Sequence, residues 1–132
     1  MIKPEVFLLI RLLVMTMMGI LFLQSALDKL LNYKANQEWI DGYFAKGILK
    51  HQSKLLLLVL TLLESAAGTL CLVGIFFSKN IGNPIGFYGL FFCSISFLCL
   101  FLGQRIAKDY AAAANIQGYF IVCLIGLMTY LI

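Results

Sequence analysis

Charge is scarce in this sequence. Of its 132 residues, 12% are Asp, Glu, Lys or Arg, against 62% hydrophobic. Soluble globular domains carry about 25% charged residues, and a small domain has too much surface for its volume to hide so much apolar side chain from water. A water-soluble fold is therefore excluded, and lipid is the solvent that tolerates such a surface. Other absences narrow the field further. The ~10-residue alternating segments of a membrane barrel are missing. There is one histidine, His51, and the four cysteines (Cys71, Cys93, Cys99 and Cys123) form no C-x-x-C pair and no metal-ligand spacing, so no metal site is expected. No nucleophile triad, phosphate loop or zinc motif is present, so no catalytic residues are assigned. The net charge of +4 is too thinly scattered for nucleic acid. Most Lys and Arg lie close to the ends of apolar runs, where membrane proteins keep them.

Those runs are four, at residues 6–31, 55–77, 85–103 and 111–132. Each is close to the ~20 residues that an α-helix needs to cross a ~30 Å hydrocarbon core. The expected fold is all-α, a single transmembrane domain built as a four-helix bundle. The first run contains Arg11 and ends at Asp28-Lys29 with no small-residue cleavage site, so it is read as a retained span rather than a signal peptide. The one long connection, residues 32–54, places Trp39, Tyr43, Ile40 and Phe44 at i, i+4 spacing among lysines. This predicts a short amphipathic helix at headgroup depth. Four spans put both termini on one side, with Lys3 and Lys79, and place Lys29, Lys34, Lys46, Lys50, Lys54, Arg105 and Lys108 on the other. The positive-inside rule then assigns loops 32–54 and 104–110 to the cytoplasm.

Helices in lipid associate through close backbone packing and polar contacts. Gly82, Gly86, Gly89, Cys93, Ser96 and Gly103 make a stripe of small residues on the third span, and Thr61, Ser65, Gly68 and Cys71 surround Glu64 on the second. Both faces are expected to point inward, with Phe91, Phe92, Phe97 and Phe101 largely elsewhere. On the first span Arg11, Met15, Met18, Phe22, Ser25 and Lys29 share a face. The cysteines read as small, polarizable helix residues, with a redox pair between helices as the sharper alternative.

The candidate intramembrane polar site is Arg11, Glu64, Gln117 and Tyr119. Glu64 lies roughly 14 Å below the basic side and Arg11 roughly 8 Å below the other. An ionised carboxylate at that depth costs at least ~2.5 kcal/mol unless paired. Arg11 is its nearest partner by depth, and snorkelling of Arg11 to the surface is the alternative. Gln117 and Tyr119 are expected to lie level with Glu64. A second polar group, Gln24, Asp28, Lys29, Arg105 and Asp109, is expected at the basic interface, joined by Gln104 and with an Arg105–Asp109 ion pair at i, i+4. It reads as a lock on the bundle or as the mouth of a site floored by Glu64.

In order, these segments resemble a known family. The first span has Arg11 and closes Gly19-Ile-Leu-Phe-Leu-Gln-Ser-Ala-Leu-Asp-Lys29-Leu, the second contains Leu63-Glu64-Ser-Ala-Ala-Gly68, and the third closes Gly103-Gln-Arg105-Ile-Ala-Lys-Asp109-Tyr. This is similar to the DoxX family of small bacterial membrane proteins, over nearly the whole chain. Ala26 stands where the family often has Gly. The resemblance implies a four-helix bundle in the inner membrane with Arg11, Lys29, Glu64, Arg105 and Asp109 as the matching positions. It also implies an association with thiosulfate–quinone oxidoreduction and membrane redox complexes. Three functions follow, in order of preference. The first is an accessory or assembly subunit with a membrane-protein partner and no catalysis of its own. The second is a quinone- or lipid-binding component. The third is a small transporter or proton path. No cofactor is assigned, with quinone the one candidate.

Overall fold

The computed structural model describes residues 4–77 and 83–131. Five α-helices follow one another: α1 (Pro4–Leu31), α2 (Tyr33–Tyr43), α3 (Ser53–Phe76), α4 (Ile85–Ile106) and α5 (Tyr110–Met128), the last closing in a 3-10 turn, Thr129–Leu131. There is no strand among the described residues. The fold is all-α, and α1, α3, α4 and α5 are each long and apolar enough to cross a membrane. This is a multi-pass helical bundle whose outer surface is Leu, Ile, Val and Phe, as lipid requires. Lys3, Lys79 and Gly82 lie outside the described residues.

Neighbouring spans run antiparallel, and the small residues set how closely. Along the α1–α3 seam Ser25 meets Glu64, Gly19 lies against Cys71, and Met15 against Gly74. Along α3–α4, the most extensive seam, Gly74 sits on the backbone of Gly86 and Gly89 on that of Cys71. Along α4–α5, Leu90 meets Gly126 and the Phe97 ring stacks on Tyr119, centroids 5.7 Å apart. The core is Val14, Met15, Met18, Phe22, Ala67, Cys71, Leu90, Cys93, Phe97 and Cys123. Phe97 is thus an inward residue, packed 4.9 Å from Phe22, while Phe91 faces out.

The α4–α5 turn is specified locally. Lys108, at φ 62°, is the sole non-glycine residue with positive φ among those described. It ends α4 with the paired bonds of a Schellman motif, Asp109 N–H to Gln104 O at 2.9 Å and Lys108 N–H to Arg105 O at 3.1 Å. Asp109 then caps α5 by accepting from the Ala112 N–H at 3.3 Å. The amphipathic helix expected within residues 32–54 is α2. It lays Ile40 and Phe44 on Leu57 of α3, while Gln37 and Ser53 both donate to the Asp41 carboxylate. Those two bonds, Ser53 first, hold Asp41 below the usual carboxylate range.

Candidate functional site

The partner of Glu64 is Lys29. The Lys29 ammonium lies 3.0 Å from Glu64 Oε2, the Ser25 hydroxyl donates to the same oxygen at 2.7 Å, and Lys29 also donates to Ser25 at 2.7 Å. The three groups close on one another, with the Glu64 side chain 3% exposed and Lys29 13%. Arg11 is engaged elsewhere. Its Nε donates to Thr129 Oγ1 at 3.1 Å and its Nη2 to the Thr129 carbonyl at 2.8 Å, and its guanidinium lies 3.6 Å over the Tyr130 ring.

This corrects the depth argument that matched Arg11 to Glu64, and the reason is directional. A helix tilts every Cα–Cβ bond toward its own N-terminus. Arg11 therefore leans out toward the near end of α1, and Lys29, one turn beyond Ser25, leans back down into the bundle. Arg11 and Ser25 are also separated by about 21 Å of helix rise. Gln117 and Tyr119 do not join Glu64 either. Gln117 is exposed on the outside of α5, and Tyr119 stacks on Phe97.

The expected polar cluster at the basic end separates into distinct contacts. Asp28 accepts from the side chains of Asn32 at 2.9 Å and Asn36 at 3.2 Å, tying α1 to α2. Lys29 belongs to Glu64. Arg105 lies over the Tyr110 ring at 4.4 Å rather than pairing with Asp109, and the Lys29–Glu64 pair is the single salt bridge among the described residues. Gln24 is exposed. Asp109 instead accepts from the Tyr43 hydroxyl at 2.8 Å, a contact sequence reasoning missed. The spacing that put Trp39 and Tyr43 on one face of the helix, where they stack at 4.7 Å, carried no signal for Asp109, which lies 66 positions away.

Burial and the hydrogen bond to Asp109 push Tyr43 up to about 12 from its ordinary 10.0. The folded state favours the neutral phenol, so its contribution to docking α2 is complete below pH ~10 and is lost as pH rises toward ~12. Trp39 is the sole tryptophan and reports this directly. Its emission should change between pH 10 and 12 in the wild type and stay flat over that interval in Tyr43→Phe. An identical alkaline response in the variant would show that Tyr43 is not the titrating group.

Two further features remain. Beneath α2 lies an outward-opening cavity of about 270 Å³, walled by Trp39, Tyr43, Phe44, Leu60, Gly103 and Gln104 among others. The Gln104 Oε1 atom is buried and unbonded. In the core, Cys71 of α3 and Cys93 of α4 bring their sulfurs to 3.6 Å, and Cys123 of α5 belongs to the same buried cluster. All three thiols are buried and free, while Cys99 is exposed. The chain resembles nothing in the comparisons: no family profile, no curated protein and no solved structure matches it.

Proposed function

We propose that this chain is a DoxX-like accessory or assembly subunit of a membrane-bound complex, without catalysis of its own. The observation that carries the reading is on α5. Asn115 stands exposed on its outer side and Gln117 on its flank beside Phe97, Leu98 and Phe101 of α4, about 8 and 10 Å from its start, and neither side chain has a hydrogen bond among the described residues. Amides facing hydrocarbon are costly, and they associate helices when a partner satisfies them. α5 is also the least buried of the four spans, and Ala111, Ala114 and Gly118 leave its backbone open to close approach on the face that carries Asn115. Elsewhere the intramembrane charges are consumed internally, Glu64 by Lys29 and Arg11 by Thr129. That argues against a proton path through Glu64.

The redox character of the complex, its place in a bacterial inner membrane and the cytoplasmic assignment of loops 32–54 and 104–110 belong to the same proposal. They rest on the residue pattern Arg11, Lys29, Glu64, Arg105 and Asp109 and on the lysine count. The test is native mass spectrometry of the protein extracted gently from its own membrane, beside an Asn115→Leu/Gln117→Leu variant. We expect a stoichiometric protein partner on the wild type, with at least a tenfold loss of it in the variant at unchanged helix content. Equal partner occupancy in both would remove α5 as the interface.

The cavity beneath α2 favours a second reading, a lipid- or quinone-binding component. It is apolar, aromatic-walled and carries one unsatisfied amide oxygen, the usual composition of a small-molecule site. On this reading the ligand lies away from Glu64, which is closed by Lys29 and Ser25. A retained quinone or lipid on an otherwise lone chain in the same experiment would favour this reading over the first.

A further inference from the structure

Cys71, Cys93 and Cys123 come from three different helices and meet in the middle of the bundle. The meeting follows from the packing. Gly89 rests on the backbone of Cys71, where an added Cβ would lie 2.7 Å from the Cys71 nitrogen, so α3 and α4 touch main chain to main chain. Cys93 is one turn further along α4 on the same face. Because the helices are antiparallel and each Cβ tilts toward its own N-terminus, the two thiols lean toward each other across that one-turn offset. Their sulfurs stand 3.6 Å apart, against about 2.05 Å in a disulfide, so closing the gap takes side-chain rotation and a small helix adjustment. Cys123 of α5 is level with Cys93, since Leu90 meets Gly126 and Phe97 meets Tyr119 along the same antiparallel seam, and it lies in the same buried cluster. None of the three has a role in the polar contacts described above.

We propose that Cys71 and Cys93 are a buried two-electron redox pair that forms a reversible disulfide with organic hydroperoxides dissolved in the bilayer, with Cys123 placed to exchange into it. Apolar burial makes a thiol a slow nucleophile, so the reaction relies on an uncharged hydroperoxide that concentrates in the same phase as the thiols. One cysteine sulfur attacks the terminal peroxide oxygen. The O–O bond breaks, the alcohol leaves with the thiol proton, and a sulfenic acid remains. The second thiol displaces that hydroxyl as water and the S–S bond forms. Two thiols are oxidised and one hydroperoxide is reduced to an alcohol and water. Cys123 then attacks the Cys93 sulfur, its proton passing to the departing Cys71 as a free thiol, and the bond moves from α3–α4 to α4–α5. This inference is independent of the subunit reading.

The experiment treats membranes holding the protein with cumene hydroperoxide, quenches, denatures in SDS and counts thiols by alkylation mass shift. We expect the wild type to fall from four alkylated cysteines to two, with mass mapping joining the α3 peptide to the α4 peptide or the α4 peptide to the α5 peptide. Dithiothreitol should restore all four. Cys99→Ala should lose the same two thiols, and Cys93→Ala should keep all three of its own. The wild-type measurement decides the matter even if a variant fails to fold. Four alkylated thiols after treatment, loss mapped to Cys99, or over-oxidation without an S–S link would each overturn the proposal.

Discussion

Lys29→Met should be among the most damaging single polar substitutions in the chain. Glu64 is 3% exposed and holds its carboxylate against one ammonium and one hydroxyl. Removing one partner of a buried pair costs about 3–5 kcal/mol, because the other charge is left in a medium that cannot solvate it. The two halves of the pair are not equivalent. Glu64→Leu leaves an ammonium on a long stem close to the end of α1, and that stem reaches the interface by snorkelling. Lys29→Met leaves a short carboxylate at the middle of α3 with nowhere to go. We therefore expect Lys29→Met to fall at the upper end of that range and Glu64→Leu well below it. The double variant should recover most of the loss, since replacing a buried ion pair by apolar residues of similar size is often neutral. A double-mutant cycle read by SDS-induced unfolding in mixed micelles measures the coupling. Additive effects of the two substitutions would mean that the pair is not an energetic unit.

The contrast between Arg11 and Lys29 shows what was legible in the sequence and what was not. The scarcity of charge and the four apolar runs were enough for the bundle, because lipid leaves few other solutions. The face of α1 carrying Met15, Met18, Phe22, Ser25 and Lys29 was also readable from helical spacing, and Met15, Met18 and Phe22 are fully buried. The partner of Glu64 was misread because depth was counted along the axis and the direction of each side chain was ignored. Lys29 was placed at the surface as a terminal lysine, yet the N-terminal tilt of the helix sends it inward. The thiol cluster was hidden for a different reason. Contact between Cys71 and Cys93 depends on how closely α3 and α4 approach, which glycine spacing suggests but does not fix. The level placement of Cys93 and Cys123 was closer to readable. The two residues are equidistant from Lys108, and an antiparallel hairpin turning there brings them level. The turn itself was hard to see, because its left-handed position is filled by Lys rather than Gly.

The cavity and the outer face of α5 show where the bundle is unfinished. α2 covers the first turns of α3 but leaves space against α4, where Gln104 finds no donor for its buried oxygen. Asn115 is exposed on the outer side of α5, and Gln117 is exposed on its flank beside Phe97, Leu98 and Phe101 of α4. A protein selected only to fold would fill the first with apolar side chain and exchange the second for leucine. Both features cost stability in the isolated chain, and they are the two places on which the proposed partner and the alternative ligand rest.

Gly89→Leu should abolish the native bundle, and its effect tests the seam on which the rest depends. A Cβ at Gly89 would stand 2.7 Å from the Cys71 nitrogen and 3.0 Å from the Leu70 carbonyl carbon. Those are backbone atoms, which cannot rotate aside as a leucine end can, so α3 and α4 must separate. Overpacking in cores ordinarily costs about 1–3 kcal/mol. Here the loss should exceed that range, since separation also strips the neighbouring Gly74–Gly86 contact. Gly118→Leu is the matched control. It lies on the outer face of α5 with nothing within 4 Å, so its unfolding midpoint should correspond to a change within about ±0.5 kcal/mol. Gly89→Ala discriminates further, because a single methyl already meets backbone and should itself be destabilising, whereas Gly42→Ala on α2, also with open space, should be neutral or better. Helix separation would also draw the Cys71 and Cys93 sulfurs apart. Gly89→Ala should therefore form less α3–α4 disulfide under cumene hydroperoxide than the wild type at equal helix content. If Gly89→Leu unfolds at the same SDS fraction as Gly118→Leu, the backbone contact between α3 and α4 is not what holds this bundle together.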